Sequence, residues 1–221
     1  MVEDISKFPF LKPIKDNWKV LLEDYHRIND KLMPWHEVDI YNKGWDIFGL
    51  IHKDYHIKEN QMLVPNTTEI IKQIPFLYMA GFSILKGETK IYPHNGYTGE
   101  VFRCHTGLSC PEDCFIQIGE HKQYWKDGEQ FVFDDTQLHS AENNSNKQDD
   151  EGQGNAGNNK FLDIAMLKIT HPVLLALHAE RGRHAADHGI QPTNLRLAFK
   201  LRRVSISLLS THCYILLQSV C

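Results

Sequence analysis

The chain has 221 residues, and its 24 Lys and Arg against 28 Asp and Glu leave a formal charge of −4 with neutral His. That balance, with 42% hydrophobic residues, excludes wholesale disorder and a chain-wide basic footprint, so no nucleic-acid partner is expected. No apolar run reaches the roughly 18 residues of a membrane span, no basic start leads into an apolar leader, and the odd count of five Cys reads as reduced thiols, so a cytoplasmic protein is expected.

In chain order, Phe8 to Leu32 reads as a helix, with Ile14, Trp18, Leu21, Leu22 and Tyr25 at helical spacing. A second helix is predicted over Asn66–Ile74, with Thr67 or Thr68 as cap and Pro75 as stop. From Phe76 the pattern changes to short strands: Leu77–Leu85, Thr89–Tyr92, Glu100–Leu108, Cys114–Ile118, Gln123–Trp125, Gln130–Phe133 and Phe161–Ile169. The segment Tyr124–Gln130, with Asp127-Gly128 at its tip, reads as a hairpin. Many short strands with turn signals between them predict a mainly β fold, a sandwich or barrel-like jelly roll.

Residues 143–159 are polar throughout and predict a mobile surface loop on a domain spanning 1–173. The tail, 174–221, differs again: a basic stretch (Arg181, Arg183, Arg196, Lys200, Arg202, Arg203) precedes an uncharged apolar one. Such a tail suits a weak membrane contact or, more plainly, a packing helix or strand or an unstructured terminus.

The chemistry lies between residues 81 and 139. On a strand, residues two apart share a face, so Arg103 and His105 point one way and Phe102 and Cys104 the other. A cation and an imidazole turned into a barrel need partners such as a ligand or a metal. The chain has 13 His. Of these, His94 and His139 each follow a predicted strand and are the metal candidates. Two imidazoles at the mouth of a barrel leave open positions on an octahedral cation, as in non-haem Fe(II) sites. The carboxylate of such sites falls two residues after the first His, where this chain has Gly96. Asp134 and Asp135 precede His139 at an unexpected spacing. Zinc is a weaker alternative, because Cys104, Cys110 and Cys114 lack paired spacing and a fourth ligand. His52, Asp54 and His56 alternate as an exposed strand would. No Gly-x-Ser-x-Gly elbow or phosphate loop is present.

Taken in order, Gly44-Trp45, Ala80-Gly81-Phe82-Ser83, Pro93-His94, Arg103-Cys104-His105-Thr106-Gly107-Leu108, Trp125-Lys126-Asp127-Gly128-Glu129 and Phe133-Asp134-Asp135 before His139 resemble the aspartyl/asparaginyl β-hydroxylase family of Fe(II)- and 2-oxoglutarate-dependent oxygenases. The resemblance runs from about Phe8 to Pro172. It implies a double-stranded β-helix (jelly roll, cupin-like) with N-terminal helices packed outside. It implies that His94 and His139 hold Fe(II) without a carboxylate, which accommodates Gly96. It further implies that Ser83, Arg103 and His105 contact the cosubstrate 2-oxoglutarate, that Trp45 borders it, and that Asp135 orients His139 or a water at the iron. The expected reaction consumes O2 and hydroxylates an unactivated C–H. The substrate would be the β-carbon of Asp or Asn in a peptide or protein, or a small molecule with a similar group. The family's second Arg, on the last strand, has no counterpart here, and Lys160 is the nearest cation. Lys lacks the guanidinium fork, so weakened cosubstrate binding is expected. Two other functions stay open: hydroxylation of a lipid acyl chain, and a catalytically degenerate jelly roll that only binds.

Overall fold

The computed structural model describes residues 1–53, 55–97, 99, 101–145 and 162–170. They belong to the unit Met1–His171. The expectations for 146–159, for Lys160 and for the tail from 174 lie outside the described residues.

The helices are α1 (Lys12–Asp16), α2 (Trp18–His26), α3 (Lys58–Leu63) and α4 (Pro65–Ile71). The first strands are β1 (Met33–Pro34), β2 (Trp45–His52) and β3 (Tyr55–His56). They are followed by β4 (Leu77–Leu85), β5 (Thr89–His94), β6 (Val101–Ser109), β7 (Cys114–Ile118) and β8 (His121–Tyr124). The last are β9 (Gln130–Asp134), β10 (His139–Asn143) and β11 (Leu162–Thr170). One sheet has the order β1-β2-β4-β11-β6-β9, with β3 on the edge of β2; the other is β5-β10-β7-β8. Pairings within both sheets are antiparallel. From β4 onward the chain crosses repeatedly between the sheets, which is the winding of a double-stranded β-helix, or jelly roll. No helix among the described residues is long and apolar enough to cross a membrane.

Strand alternation gives the larger sheet two different apolar faces. Its outer face presents Phe48, Leu50, Phe82, Ile84, Phe102, Cys104 and Leu167 to Leu11, Ile14, Leu21, Tyr25 and Ile71 of the helical layer. Its inner face presents Trp45, Leu85, Phe131, Phe133 and Ile164 to Ile91, Ile116, Ile118 and Ala141 of the smaller sheet. The N-terminal helices therefore pack outside the jelly roll.

Several local expectations change. The single helix over Phe8–Leu32 is broken into a 3-10 turn at Pro9–Leu11, α1 and α2. The break falls at Asn17, whose Nδ2 donates to the Pro13 carbonyl at 2.8 Å, a local bond that competes with helix propagation. The second helix starts at Pro65 and is preceded by α3. Neither Thr67 nor Thr68 caps it by side chain; the Thr67 amide instead donates to Asp24 of α2 at 2.7 Å. Tyr124–Gln130 is not a hairpin, because β8 pairs with β7 and β9 with β6, in different sheets. The Asp127-Gly128 turn is real, with Gly128 at φ +70°, but it carries the chain from one sheet to the other. The strands β2 and β10, which no alternation announced, complete the two sheets.

Candidate active site

Side chains on the inner face of the larger sheet fall in cross-strand rows. Trp45, Leu85 and Leu162 share one row, and Ile47, Ser83, Ile164 and Gly107 the next. Gly49, Gly81, Met166, His105 and Phe131 follow, and then His52, Met79, Lys168, Arg103 and Phe133. Exposure along the inner face of β11 rises from Leu162 (0%) through Ile164 (2%) to Met166 (9%). The Lys168 side chain, at 17%, continues that trend, so the cavity opens toward Lys168.

The cavity is lined by Trp45, Ser83, His94, Arg103, His105, Trp125 and His139, with apolar residues between them. His94 ends β5 and His139 begins β10, and the two are direct partners across the smaller sheet. Their ring centroids lie 4.3 Å apart. Each ring is held the same way: Nδ1 of His94 donates to the Tyr92 carbonyl at 2.8 Å, and Nδ1 of His139 to the Gln137 carbonyl at 2.8 Å. Each ring is thus anchored through Nδ1, which leaves Nε2 as the nitrogen available to a ligand. Burial holds the His139 imidazole down at about 4, with the Gln137 carbonyl opposing and His94 adding, so it is neutral at pH 7.

Deeper in, Trp45 Nε1 donates to Ser83 Oγ at 2.9 Å. His105 is 6% exposed and packs between Trp125, Phe131 and Phe133. Burial, then the charge of Arg103, pushes its imidazole well below the usual range. Among the described residues, seven buried side-chain polar atoms have no hydrogen-bond partner. Five of them are both nitrogens of His105, Nε2 of His139, Nε1 of Trp125 and Oδ1 of Asp135. A buried polar atom without a partner costs about 1–3 kcal/mol, so their clustering around one cavity points to a polar ligand there.

Asp135 is 1% exposed and sits beside the cavity. Its Oδ2 accepts from Arg103 Nη2 at 2.7 Å and Nε at 3.3 Å, and pairs with Lys168 Nζ at 3.1 Å. Burial by itself would push this carboxyl up, but Arg103 and Lys168 together hold it below the usual range. Gly96 is needed for this arrangement. A Cβ there would lie 2.5 Å from Asp135 Cγ, so the carboxyl fills the space a side chain at 96 would use. The Gly96 amide also donates to the Asp135 carbonyl at 2.6 Å.

These residues fit a divalent metal at the two imidazoles. Their rings lie side by side, with centroids 4.3 Å apart, so both could ligate one cation placed between them. His139 also offers a buried nitrogen without a partner. No group of three or more His, Cys, Asp and Glu able to hold a metal occurs among the described residues, so the candidate is a two-histidine site.

Of the residues singled out from sequence, His94, His139, Trp45, Ser83, Arg103 and His105 line one cavity, with Asp135 beside it. The zinc alternative does not assemble: Cys104 belongs to the outer core and Cys114 to the inner one, on opposite faces of the larger sheet. His52 and His56 lie on separate paired strands, β2 and β3, and Asp54 is outside the described residues. Two residues were missed. Trp125 stands out only by its unpartnered Nε1. Lys168 was legible as a cation sharing a strand face with Ile164 and Met166, where alternation turns it into the barrel.

A family model described as aspartyl/asparaginyl beta-hydroxylase matches residues 15–149. An ornithine lipid ester-linked acyl 2-hydroxylase from Rhizobium tropici is 25% identical over 158 residues, covering 66% of this chain and 56% of that protein. Aspartate beta-hydroxylase domain-containing protein 2 from Xenopus tropicalis is 28% identical over 140 residues, 58% of this chain and 38% of that one. The human aspartyl/asparaginyl beta-hydroxylase is 26% identical over 142 residues, 59% and 19% respectively. The chain thus spans little more than half of the first of these relatives and less of the others. Among solved structures, the cupin domain of an XRE-family transcriptional regulator from Enterobacter cloacae matches with a TM-score of 0.37 at 10% identity, covering 57% of this chain and 97% of that one. With more than half of its length matched by the family model, the chain belongs to the aspartyl/asparaginyl β-hydroxylase family of hydroxylases.

Proposed function

We propose that this domain is an Fe(II)- and 2-oxoglutarate-dependent dioxygenase that hydroxylates an unactivated C–H, with the β-carbon of Asp or Asn in a peptide as the leading substrate class. The observation that carries the reading is the convergence of His94 and His139 in a cavity where several buried polar atoms lack partners. Iron bound there would supply the oxygen activation and C–H cleavage that protein side chains lack. The chain's own residues have simpler tasks. The Tyr92 and Gln137 carbonyls fix the two imidazoles with Nε2 free. Arg103 brings a guanidinium, a good match for carboxylate, to the cavity wall. His105 and Trp125 offer polar nitrogens, and Ser83 a hydroxyl already oriented by Trp45, to a bound acid. Phe133, Ile116 and Ile164 keep the cavity dry.

The test is turnover of labelled 2-oxoglutarate to succinate by the purified protein with Fe(II) and ascorbate. Wild-type protein should exceed the His94→Ala and His139→Ala variants by at least a hundredfold; equal rates would overturn the reading. A second reading, hydroxylation of a lipid acyl chain, is favoured by one observation, the match to a lipid acyl 2-hydroxylase over 66% of this chain. Oxygen incorporation into a peptide library or into extracted lipids separates the two.

A further inference from the structure

Charge and neutral polarity are segregated along the depth of the cavity. Exposure falls along β11 from Lys168 toward Leu162, so the row of Arg103 and Lys168 is the mouth, and the rows of His105 and then Ser83 lie deeper. Successive rows on one strand face are about 7 Å apart. His139 packs edge-on against Phe133, the cross-strand partner of Arg103, so the two-histidine pair belongs to the mouth. Both cations at this level are already engaged. Arg103 gives Nη2 and Nε to Asp135 and Nη1 to the Met166 sulfur at 3.6 Å, while Lys168 pairs with Asp135 and faces Glu37.

A 2-oxo acid held at the histidines by its keto-acid end reaches inward, past His105 and toward Ser83. The polar groups lining that depth are the Ser83 hydroxyl, the His105 imidazole and the Trp125 indole, all buried, among Leu85, Ile116, Ala141, Ile164 and Met166. Trp125 stacks on His105 with centroids 5.9 Å apart, and it comes from the segment whose Asp127 bridges Gly107 of the Ser83 row. Among the described residues no Lys or Arg lines the cavity at this depth. Trp125 Nε1 and both nitrogens of His105 have no partner. The indole N–H can only donate, and Ser83, which accepts from Trp45, keeps its own proton to give. Burial disfavours the charged form of His105.

We infer that the deep end of the cavity recognises a hydrogen-bond acceptor and not a charge, so that 2-oxo acids ending in a neutral ester or amide are taken as readily as 2-oxoglutarate. The inference rests on the oxygenase reading above and widens its cosubstrate class. The physical reason is an asymmetry. Buried donors without a partner penalise a ligand that brings no acceptor. A second carboxylate satisfies them no better than a neutral carbonyl does, and it must shed its water where no cation among the described residues waits for it.

The experiment is calorimetry of the purified protein with Mn(II) and three acids: 2-oxoglutarate, its 5-methyl ester, and 5-methyl-2-oxohexanoate, in which an isopropyl group replaces the far carboxylate. Wild type, Trp125→Phe and His139→Ala are compared, with circular dichroism on each. In wild type the ester should bind within about threefold of 2-oxoglutarate or more tightly, and the isopropyl acid about tenfold or more weakly than the ester. Trp125→Phe should weaken 2-oxoglutarate and the ester alike, several-fold or more, and leave the isopropyl acid near its wild-type affinity; should that variant not fold, the wild-type comparison decides by itself. The inference is overturned if wild type prefers 2-oxoglutarate to the ester by about tenfold, since a charge is then recognised, or if the isopropyl acid binds as tightly as the ester. A His139→Ala variant that binds all three acids as wild type does would sink the oxygenase reading, whereas the order of the three acids decides the inference. Failure of all three to bind wild type overturns both.

Discussion

Residues at this site are arranged at a cost to the fold. His105 is buried with two polar nitrogens unsatisfied and burial opposing its charged form. Stability by itself would favour an aromatic hydrocarbon among Trp125, Phe131 and Phe133. His105→Phe should therefore leave unfolding stability unchanged or raise it by about 1 kcal/mol, read from urea denaturation without ligands. The same variant should weaken 2-oxoglutarate binding at least tenfold by calorimetry with Mn(II). A clear loss of stability would mean that the imidazole serves the fold. Gly96 and Asp135 form a second such arrangement, in which a missing side chain leaves room for a carboxyl supplied by a distant strand end.

At the level of elements, the helices depend on the strands and on one another more than on their own sequences. Among the described residues none exceeds the nine residues of α2, and isolated helices of that length are marginal in water. Asp24 links α2 to α4: fully buried, it accepts from the Thr67 amide at 2.7 Å, Asn66 Nδ2 at 3.3 Å and Arg27 Nη1 at 2.9 Å. It takes the place of the Thr cap that the sequence suggests. Asp24→Ala should cost about 2–3 kcal/mol, because buried donors lose a charged acceptor. Urea unfolding checks the value, and a loss below half of it would show that water replaces the carboxylate. The spacing of Ile14, Leu21 and Tyr25 announced a buried helical stripe correctly. The break at Asn17 depends on a side chain choosing a nearby carbonyl, which periodicity does not encode.

Across the whole molecule, one sheet separates two cores, and this division keeps stability and site apart. Leu21→Ala opens the outer core and should cost about 2–5 kcal/mol in urea unfolding. It should leave Mn(II) and 2-oxoglutarate affinity within about twofold, since the cavity lies on the other face; a tenfold change would show that the faces are coupled. The sequence by itself determined the alternation that puts Arg103 and His105 on one face and Phe102 and Cys104 on the other, the mainly β class, and the order of motifs that marks the family. These are local or linear properties, set by strand pleating and residue type. Only the tertiary structure decided that His94 and His139 become cross-strand partners, that Asp135 occupies the space beside Gly96, and that Lys168 joins them. Those contacts join strands far apart along the chain through register and sheet pairing, which no local pattern specifies.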